Sequence, residues 1–423
     1  MHHAPPDHVS ATQASSALTV LQHVLEQVQE GRPADSTLQQ LYRRHREFGS
    51  RDRRLYSNLV FSVLRWKGWT DLAPDQPLAV RAAASYRLDS AEPHPAIERM
   101  AALSAPERAL DTLADKAEQV ARWLSLPRPP APASLIPAAS HAQLAWPERD
   151  RELIESFQTR PPTWIRGRPG SEAATRALCA ALNVEPLPHP RLPDAWRIDD
   201  TARLADLLSR AEGRLDVQDI ASQAAGVIAA PVSDQSWWDV CTGSAGKSLH
   251  LADLTGGRLR ILATDIRDSI LEEARRRIHQ AGRSGSIRLQ RLDAAHDPLP
   301  AGPFDGVFVD APCSGTGTWA RNPDARWRWK PEAMAELIDL QALLLERASA
   351  CVKPGGGVLI YATCSLTKAE NTEQIARFLA AHPEFTLSPF IHPLSGAACP
   401  GQTFIWPWEG PGSGFFAARM IRS

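Results

Sequence analysis

The chain has 423 residues, 43% hydrophobic and 22% charged, which is room for two or three domains with cores of their own. Its formal net charge of −1 excludes a uniformly basic nucleic-acid binder and leaves any RNA contact to local basic patches. Six scattered cysteines form no CxxC pair, so a resident metal is not expected, and reduced thiols in a cytoplasmic protein are. The opening Met1-His-His-Ala-Pro-Pro-Asp7 lacks a basic segment followed by an apolar run, so no signal peptide is expected. No apolar stretch is long enough to span a bilayer, and a monomer free of membrane is expected.

In chain order, Leu18, Leu21, Val24, Leu25 and Val28 recur at helical spacing, and Leu55, Tyr56, Leu59, Val60, Val63 and Leu64 form a second stripe. Ala-rich and Leu-rich segments continue to about Trp123, so residues 1–126 are predicted to be an all-α domain. Leu41–Gly68 carries eight basic side chains, Arg43, Arg44, Arg46, Arg51, Arg53, Arg54, Arg65 and Lys67, against Glu47 and Asp52. That clustering is the footprint of phosphate contact, and a solvated helix face is its competitor. Pro127-Arg-Pro-Pro-Ala-Pro132 breaks any helix, so residues 127–144 are expected to be a linker. Residues 145–214 are expected to form a small α+β subdomain, with helices at Arg149–Phe157 and Glu172–Leu182 and strand entry at Pro161–Arg166.

From residue 215 to 423 strands and helices alternate, which predicts a parallel sheet covered by helices. Strands are expected at Trp237–Cys241, Leu259–Thr264, Ser286–Leu289, Gly306–Asp310, Val358–Thr363 and Gly414–Met420, with a long helix over Glu332–Cys351. The first strand runs into Asp239-Val-Cys241-Thr-Gly243-Ser244-Ala245-Gly246-Lys247, small residues that let backbone amides approach a cofactor closely. Asp265 ends the second strand, where it can accept hydrogen bonds from ribose hydroxyls, with Arg267 beside it. Asp293 follows the third strand and can reach an adenine edge. The loop is neither GxGxxG nor a phosphate-binding P-loop, which argues against a nicotinamide dehydrogenase.

The fourth strand ends Asp310-Ala-Pro-Cys313-Ser-Gly-Thr-Gly, and the fifth ends Thr363-Cys364-Ser365. Ligands of a doubly wound sheet sit beyond the carboxyl ends of strands where strand order reverses, so both cysteines and Asp310 should face the cofactor loop. This set suits methylation of cytosine carbon 5. A thiolate added to carbon 6 makes carbon 5 nucleophilic, while a carboxyl group such as Asp310 supports nitrogen 3. The chemistry alone leaves open which cysteine attacks. Cys179, Cys351 and Cys399 read as buried thiols, and Cys241 more as packing than as chemistry.

These motifs resemble those of the RsmB/NOP (Sun, NSUN) family of RNA cytosine-5 methyltransferases. The likeness extends to Val217-Gln-Asp-Ile-Ala-Ser222, Arg321-Asn-Pro-Asp324, Leu340-Gln-Ala-Leu-Leu344, Lys353-Pro-Gly-Gly356, Glu370-Asn371 and Gly414-Phe-Phe-Ala417, in the family's order over roughly residues 215–420. The resemblance implies a Rossmann-like methyltransferase domain, S-adenosylmethionine as cofactor and RNA as substrate. Ribosomal RNA is favoured; tRNA and a non-catalytic or weakly catalytic RNA-binding assembly factor are the alternatives. It implies that Cys364 attacks, that Cys313 helps break down the covalent intermediate, and that Lys247 is retained at the site with Asp310. The family's first motif usually has proline and glycine where this chain has Ser244 and Ala245, and Asp where it has Ser413. Ser50-Arg-Asp-Arg-Arg54 and Val63-Leu-Arg-Trp66 resemble, more loosely, the NusB-like RNA-binding domain of bacterial rRNA members. RNA contacts are expected from Arg51, Arg53, Arg54, Arg321, Arg326 and Arg328, the last two interleaved with tryptophans. Arg275, Arg276, Arg277 and Arg283 read as solvated surface.

Overall fold

A computed structural model describes residues 7–90, 94–106, 109–144, 146–199 and 201–423; the signal-peptide reading of the first six residues lies outside them. The chain forms two compact units, residues 1–160 with 319–331, and residues 161–318 with 332–423.

The first unit is helical: α1 (Asp7–Gln29), α2 (Ala34–Arg44), α3 (Ser50–Thr70), α4 (Leu78–Asp89), α5 (Pro95–Met100), α6 (Leu113–Leu124), α7 (Ala138–Leu144) and α8 (Asp150–Phe157). The expected stripes of α1 and α3 meet in one core, where Leu21, Val24, Leu59, Val60 and Leu64 are fully buried. Each such side chain contributes about 2 kcal/mol of burial. Thr112 opens α6 with a reciprocal cap: its hydroxyl accepts from Asp115 N–H at 3.1 Å, and the Asp115 carboxylate accepts from Thr112 N–H at 3.2 Å.

Two expected boundaries are corrected. Residues 127–144 are packed rather than free: Leu135 and Ile136 are buried, and Trp69 donates its indole N–H to the Ala131 carbonyl at 2.9 Å. Gly68 lies so close that a Cβ would stand 1.9 Å from the Ser134 carbonyl oxygen. Proline forbids a continuous helix there without forbidding burial. α8, placed by sequence in the α+β subdomain, belongs to the helical unit, with Phe157 fully buried.

The second unit opens with a small antiparallel sheet, β1 (Thr163–Gly167), β2 (Pro186–Pro188), β3 (Ala195–Ile198) and β4 (Leu215–Val217), ordered β2-β3-β1-β4 and accompanied by α9 (Glu172–Ala181) and α10 (Leu204–Ala211). After α11 (Ile220–Ala229) come β5 (Ser236–Asp239), α12 (Gly246–Leu254), β6 (Arg260–Asp265), α13 (Asp268–Gln280), β7 (Ile287–Arg291) and β8 (Gly306–Asp310). α14 (Pro331–Ser349), β9 (Val358–Thr363), α15 (Thr372–Ala381), β10 (Phe385–Leu387), β11 (Phe390–Ile391), β12 (Ala398–Cys399), β13 (Gln402–Ile405) and β14 (Phe415–Arg422) complete it. The main sheet runs β10-β14-β9-β8-β5-β6-β7, parallel from β9 to β7, with β14 antiparallel to β9. This is the expected Rossmann-like arrangement, and β5, β8 and β9 are neighbours as expected. Order reverses between β5 and β8, so their carboxyl ends open a crevice for a ligand.

A buried ionic network ties the small sheet to the large one. Arg166 on β1 is 1% exposed and meets Gln218 at 2.7 Å, Asp216 at 3.1 Å and Asp253 of α12 at 2.5 Å. Arg168 also pairs with Asp216, at 2.7 Å, and with Asp253. Removing one partner of such a network strands a buried charge, so the two sheets are coupled through it.

Candidate active site

The turn from β5 into α12 is built around Asp239. Its carboxylate is buried beneath the loop, accepting the Thr242 hydroxyl at 2.8 Å and the Ser248 hydroxyl at 2.5 Å. Burial pushes its pKa up to about 6, with the two hydroxyls working against the shift. Gly243 and Ala245 both take left-handed backbone, at φ 54° and 63°. That conformation costs a residue bearing a Cβ roughly 1 kcal/mol. Asp239 and the fully buried Ala245 therefore shape the loop from below.

Arg277 of α13 holds the same loop from the side. One guanidinium nitrogen donates to the Ser244 carbonyl at 2.8 Å and to its hydroxyl at 2.6 Å, and another to Asp216 at 3.2 Å. Arg283 pairs with Asp253 at 2.9 Å. Reading Arg277 and Arg283 as solvated surface is thereby corrected, because each finds a carboxylate of the buried network. Arg275 and Arg276 are exposed and pair with Glu272 and Glu273 on their own helix.

A cavity of about 890 Å³ opens over the crevice. The loop lines it through Cys241, Gly243, Ser244, Gly246 and Lys247, and Asp265, Arg267 and Asp293 stand on the adjoining wall. Asp310, Cys313 and Cys364 complete it. Asp265 accepts the Gly243 N–H at 3.0 Å and a two-point contact from Arg267, at 2.9 and 3.0 Å. Burial opposes its charge, but those bonds outweigh it and hold the carboxyl below its ordinary range. Asp293 accepts the Ala295 N–H at 3.0 Å and meets His296 at 2.9 Å. Burial raises the Cys241 thiol far above its ordinary range, in keeping with packing.

At the strand ends, Lys247 Nζ meets Asp310 Oδ2 at 2.5 Å. Burial works against the Lys247 charge, yet Asp310, then Asp239 and Cys364, leave its pKa raised. The sulfurs of Cys313 and Cys364 are 3.1 Å apart. The Cys364 sulfur, burial and the Glu370 carboxylate keep the Cys313 thiol protonated. All six cysteines are free.

Sequence reasoning found these side chains and singled out Glu370-Asn371 as a motif, but not its role in aligning them. Glu370, fully buried, accepts from Ser314 N–H at 2.8 Å and from the hydroxyls of Ser314 and Ser365, each at 2.5 Å. Asn371 bonds Thr363 at 2.6 Å and the Ser365 carbonyl at 2.9 Å. The pair thus pins both cysteine loops to α15. Ser413 donates its hydroxyl to Asp219 at 3.0 Å, a contact that suits a hydroxyl and not a second carboxylate. Ile266 was also missed: it is 50% exposed although hydrophobic, directly after Asp265, and lines the cavity.

The RNA candidates divide. Arg51 and Arg54 are exposed, whereas Arg53 is half-buried over the Tyr42 ring. Arg65, counted in the basic cluster, is buried against Asp89 at 2.5 Å. Arg326 is fully buried, donating to the Leu135 carbonyl at 3.1 Å and the Phe157 carbonyl at 3.2 Å, so its expected RNA contact is corrected to a packing role within the helical unit. Arg328 is half-buried and pairs with Asp324 at 3.0 Å, and Arg321 is half-buried.

Residues 226–421 match the family described as 16S rRNA methyltransferase RsmB/F. The ribosomal RNA small subunit methyltransferase B of Klebsiella pneumoniae subsp. pneumoniae is 33% identical over 282 residues, 66% of this chain and 64% of that protein. The chain therefore spans less than two thirds of that relative's length. A solved structure named PH0851 has a TM-score of 0.73 at 22% identity, covering 95% of this chain and 98% of the other. NSun6 from Pyrococcus horikoshii, solved with SFG, has a TM-score of 0.58 at 16% identity over 67% of this chain and 97% of that one. These two share the fold, and the strand-end motifs, the sheet order and the family match together liken residues 226–421 to the RsmB/NOP methyltransferases.

Proposed function

We propose that the chain methylates carbon 5 of a cytosine in small-subunit ribosomal RNA, with S-adenosylmethionine as methyl donor and a covalent bond between Cys364 and carbon 6. The observation that carries this reading is the 3.1 Å approach of Cys313 and Cys364 beside the Lys247–Asp310 pair in the wall of one cavity.

The residues fit the cofactor. No heavy atom lies within 4 Å of where a Cβ on Gly243 would stand, so a ligand can approach that backbone closely. Asp265 is held charged for ribose hydroxyls, and Ile266 and Leu292 offer apolar walls to an adenine ring. When bound, S-adenosylmethionine supplies an electrophilic methyl group.

The protein's own groups do the rest. The Cys364 sulfur, burial and Glu370 keep the Cys313 thiol protonated, and Cys364 is the attacking sulfur in this reading. The Cys364 thiolate bonds to carbon 6, and the carbon 5–carbon 6 double bond shifts its electrons toward nitrogen 3. Asp310 delivers a proton there, with Lys247 as the adjacent source. Carbon 5 takes up the methyl group and loses its proton to a base. The double bond re-forms, nitrogen 3 returns its proton to Asp310, the bond to Cys364 breaks to regenerate its thiolate, and Cys313 assists that release. The exposed Arg43, Arg44, Arg46, Arg51 and Arg54 of the helical unit bind RNA phosphates.

The test is transfer of labelled methyl groups from S-adenosylmethionine to a small-subunit rRNA transcript, followed by nucleoside analysis. Label in 5-methylcytosine, absent with Cys364→Ala, is expected; label in an N-methylated base would overturn the reading. The departures at Ser244 and Ala245 favour a second reading, a non-catalytic or weakly catalytic assembly factor, which predicts RNA binding with little or no label. Label accepted only by tRNA would move the substrate class.

A further inference from the structure

We infer that Arg277 is a positioning residue for the cofactor loop, acting through Ser244 where the family's usual loop has a proline followed by a glycine. The inference rests on the S-adenosylmethionine reading of the cavity.

Three observations carry it. First, the loop lacks one intrinsic constraint and carries one backbone strain. Ser244 has no ring to fix its backbone, and Ala245 takes φ 63°, which a glycine adopts freely and an alanine does not. Left alone, such a loop samples other conformations and loses the cavity wall formed by Gly243 and Ser244. Second, one nitrogen of Arg277 holds both the carbonyl and the hydroxyl of Ser244, at 2.8 and 2.6 Å. A charged donor shared by two oxygens of one residue fixes that residue's backbone and side chain together. The hydroxyl contact exists only because the residue is serine; proline offers no such acceptor. Third, Arg277 is itself held at the far end. It meets Asp216 at 3.2 Å, and Asp216 is fixed by Arg166 and Arg168 of the small sheet. The constraint thus passes from β1 through Asp216 and Arg277 to Ser244, and the small sheet acquires a part in cofactor binding beyond the stretch of cavity wall that Val217 supplies.

A double-mutant cycle on the full chain tests this, with S-adenosylmethionine binding followed by calorimetry. Arg277→Gln is expected to raise the dissociation constant about tenfold, as loss of a charge-assisted clamp does. Ser244→Ala should cost less, because the carbonyl contact survives, and its effect should vanish in the Arg277→Gln background. Ala245→Gly should recover part of the affinity lost by Arg277→Gln, since glycine removes the backbone cost that the clamp offsets. In turnover, KM for S-adenosylmethionine should rise while kcat at saturation stays within about twofold. Arg275→Gln, on the exposed face of the same helix, should change nothing. Additive effects of Ser244→Ala and Arg277→Gln, or no rescue by Ala245→Gly, would show that Arg277 merely stabilises the fold. Unchanged affinity in Arg277→Gln, with the wild type binding, would overturn the inference alone. A wild type that binds no S-adenosylmethionine would overturn it together with the reading on which it rests.

Discussion

Glu370 and Ser314 are joined at two points, the Ser314 N–H on one carboxylate oxygen at 2.8 Å and its hydroxyl on the other at 2.5 Å. Ser365 and Thr367 reach the same carboxylate from the second cysteine loop, and Gln341 from α14 at 3.0 Å. Glu370→Ala would leave several buried donors without an acceptor. It should lower unfolding stability by about 3 kcal/mol in denaturant titration. Glu370→Gln should retain more stability yet still impair methyl transfer, because an amide cannot accept from every donor at once. Full activity in Glu370→Ala would detach this residue from the alignment of the two cysteines.

Asp239 gives a pH signature. Its pKa rises from the ordinary 3.8 to about 6 on burial, so the folded state binds this proton more tightly than the unfolded state. The contribution to stability is therefore present below about pH 4 and is lost as pH rises through about 6, a swing on the order of 3 kcal/mol. Other carboxyls, such as Asp265, are shifted downward and slope the opposite way, so the comparison must be by difference. The stability of the wild type minus that of Asp239→Asn should fall from pH 4 to pH 7 in parallel denaturant titrations. A difference that is flat with pH would mean that Asp239 titrates normally.

Asp265 should dominate cofactor affinity. It is buried, charged and already organised by the Gly243 N–H and by Arg267. Asp265→Ala should weaken S-adenosylmethionine binding by roughly tenfold or more, since a charged acceptor for two hydroxyls is lost. Unchanged affinity in calorimetry would remove it from the ribose site.

In RNA binding, Arg51 and Arg54 are exposed on α3, while Arg326 is buried among carbonyls. Replacing Arg51 and Arg54 together by Gln should weaken RNA binding and reduce the slope of log affinity against log salt by up to about two. Arg326→Gln should instead lower the melting temperature. An unaltered salt slope in the double variant would assign those arginines to a solvated face.

The legible parts of this molecule were those whose meaning is local. A strand that ends in Asp310-Ala-Pro-Cys313 carries its chemistry to the sheet edge wherever the sheet forms, so the order of strands and the convergence of Cys313, Cys364 and Asp310 could be read directly. Arg326 could not, because alternating arginine and tryptophan look the same in sequence whether they face water or the carbonyls of Leu135 and Phe157. Arg277 was missed for a related reason. Its partners Ser244 and Asp216 lie 33 and 61 residues away, and no periodicity links them. The stretch over residues 127–144 shows that proline reports on backbone geometry, not on burial: Leu135 and Ile136 were the signal that it packs.

The division of labour between the two cysteines is the centre of this account, and denaturing gel electrophoresis of protein incubated with substrate RNA and S-adenosylmethionine tests it most directly. If Cys364 bonds to carbon 6 and Cys313 assists release, Cys313→Ala should accumulate a protein–RNA species that survives denaturation. Cys364→Ala should form none and transfer no methyl group. An adduct from Cys364→Ala, with none from Cys313→Ala, would contradict the account and reverse the two roles.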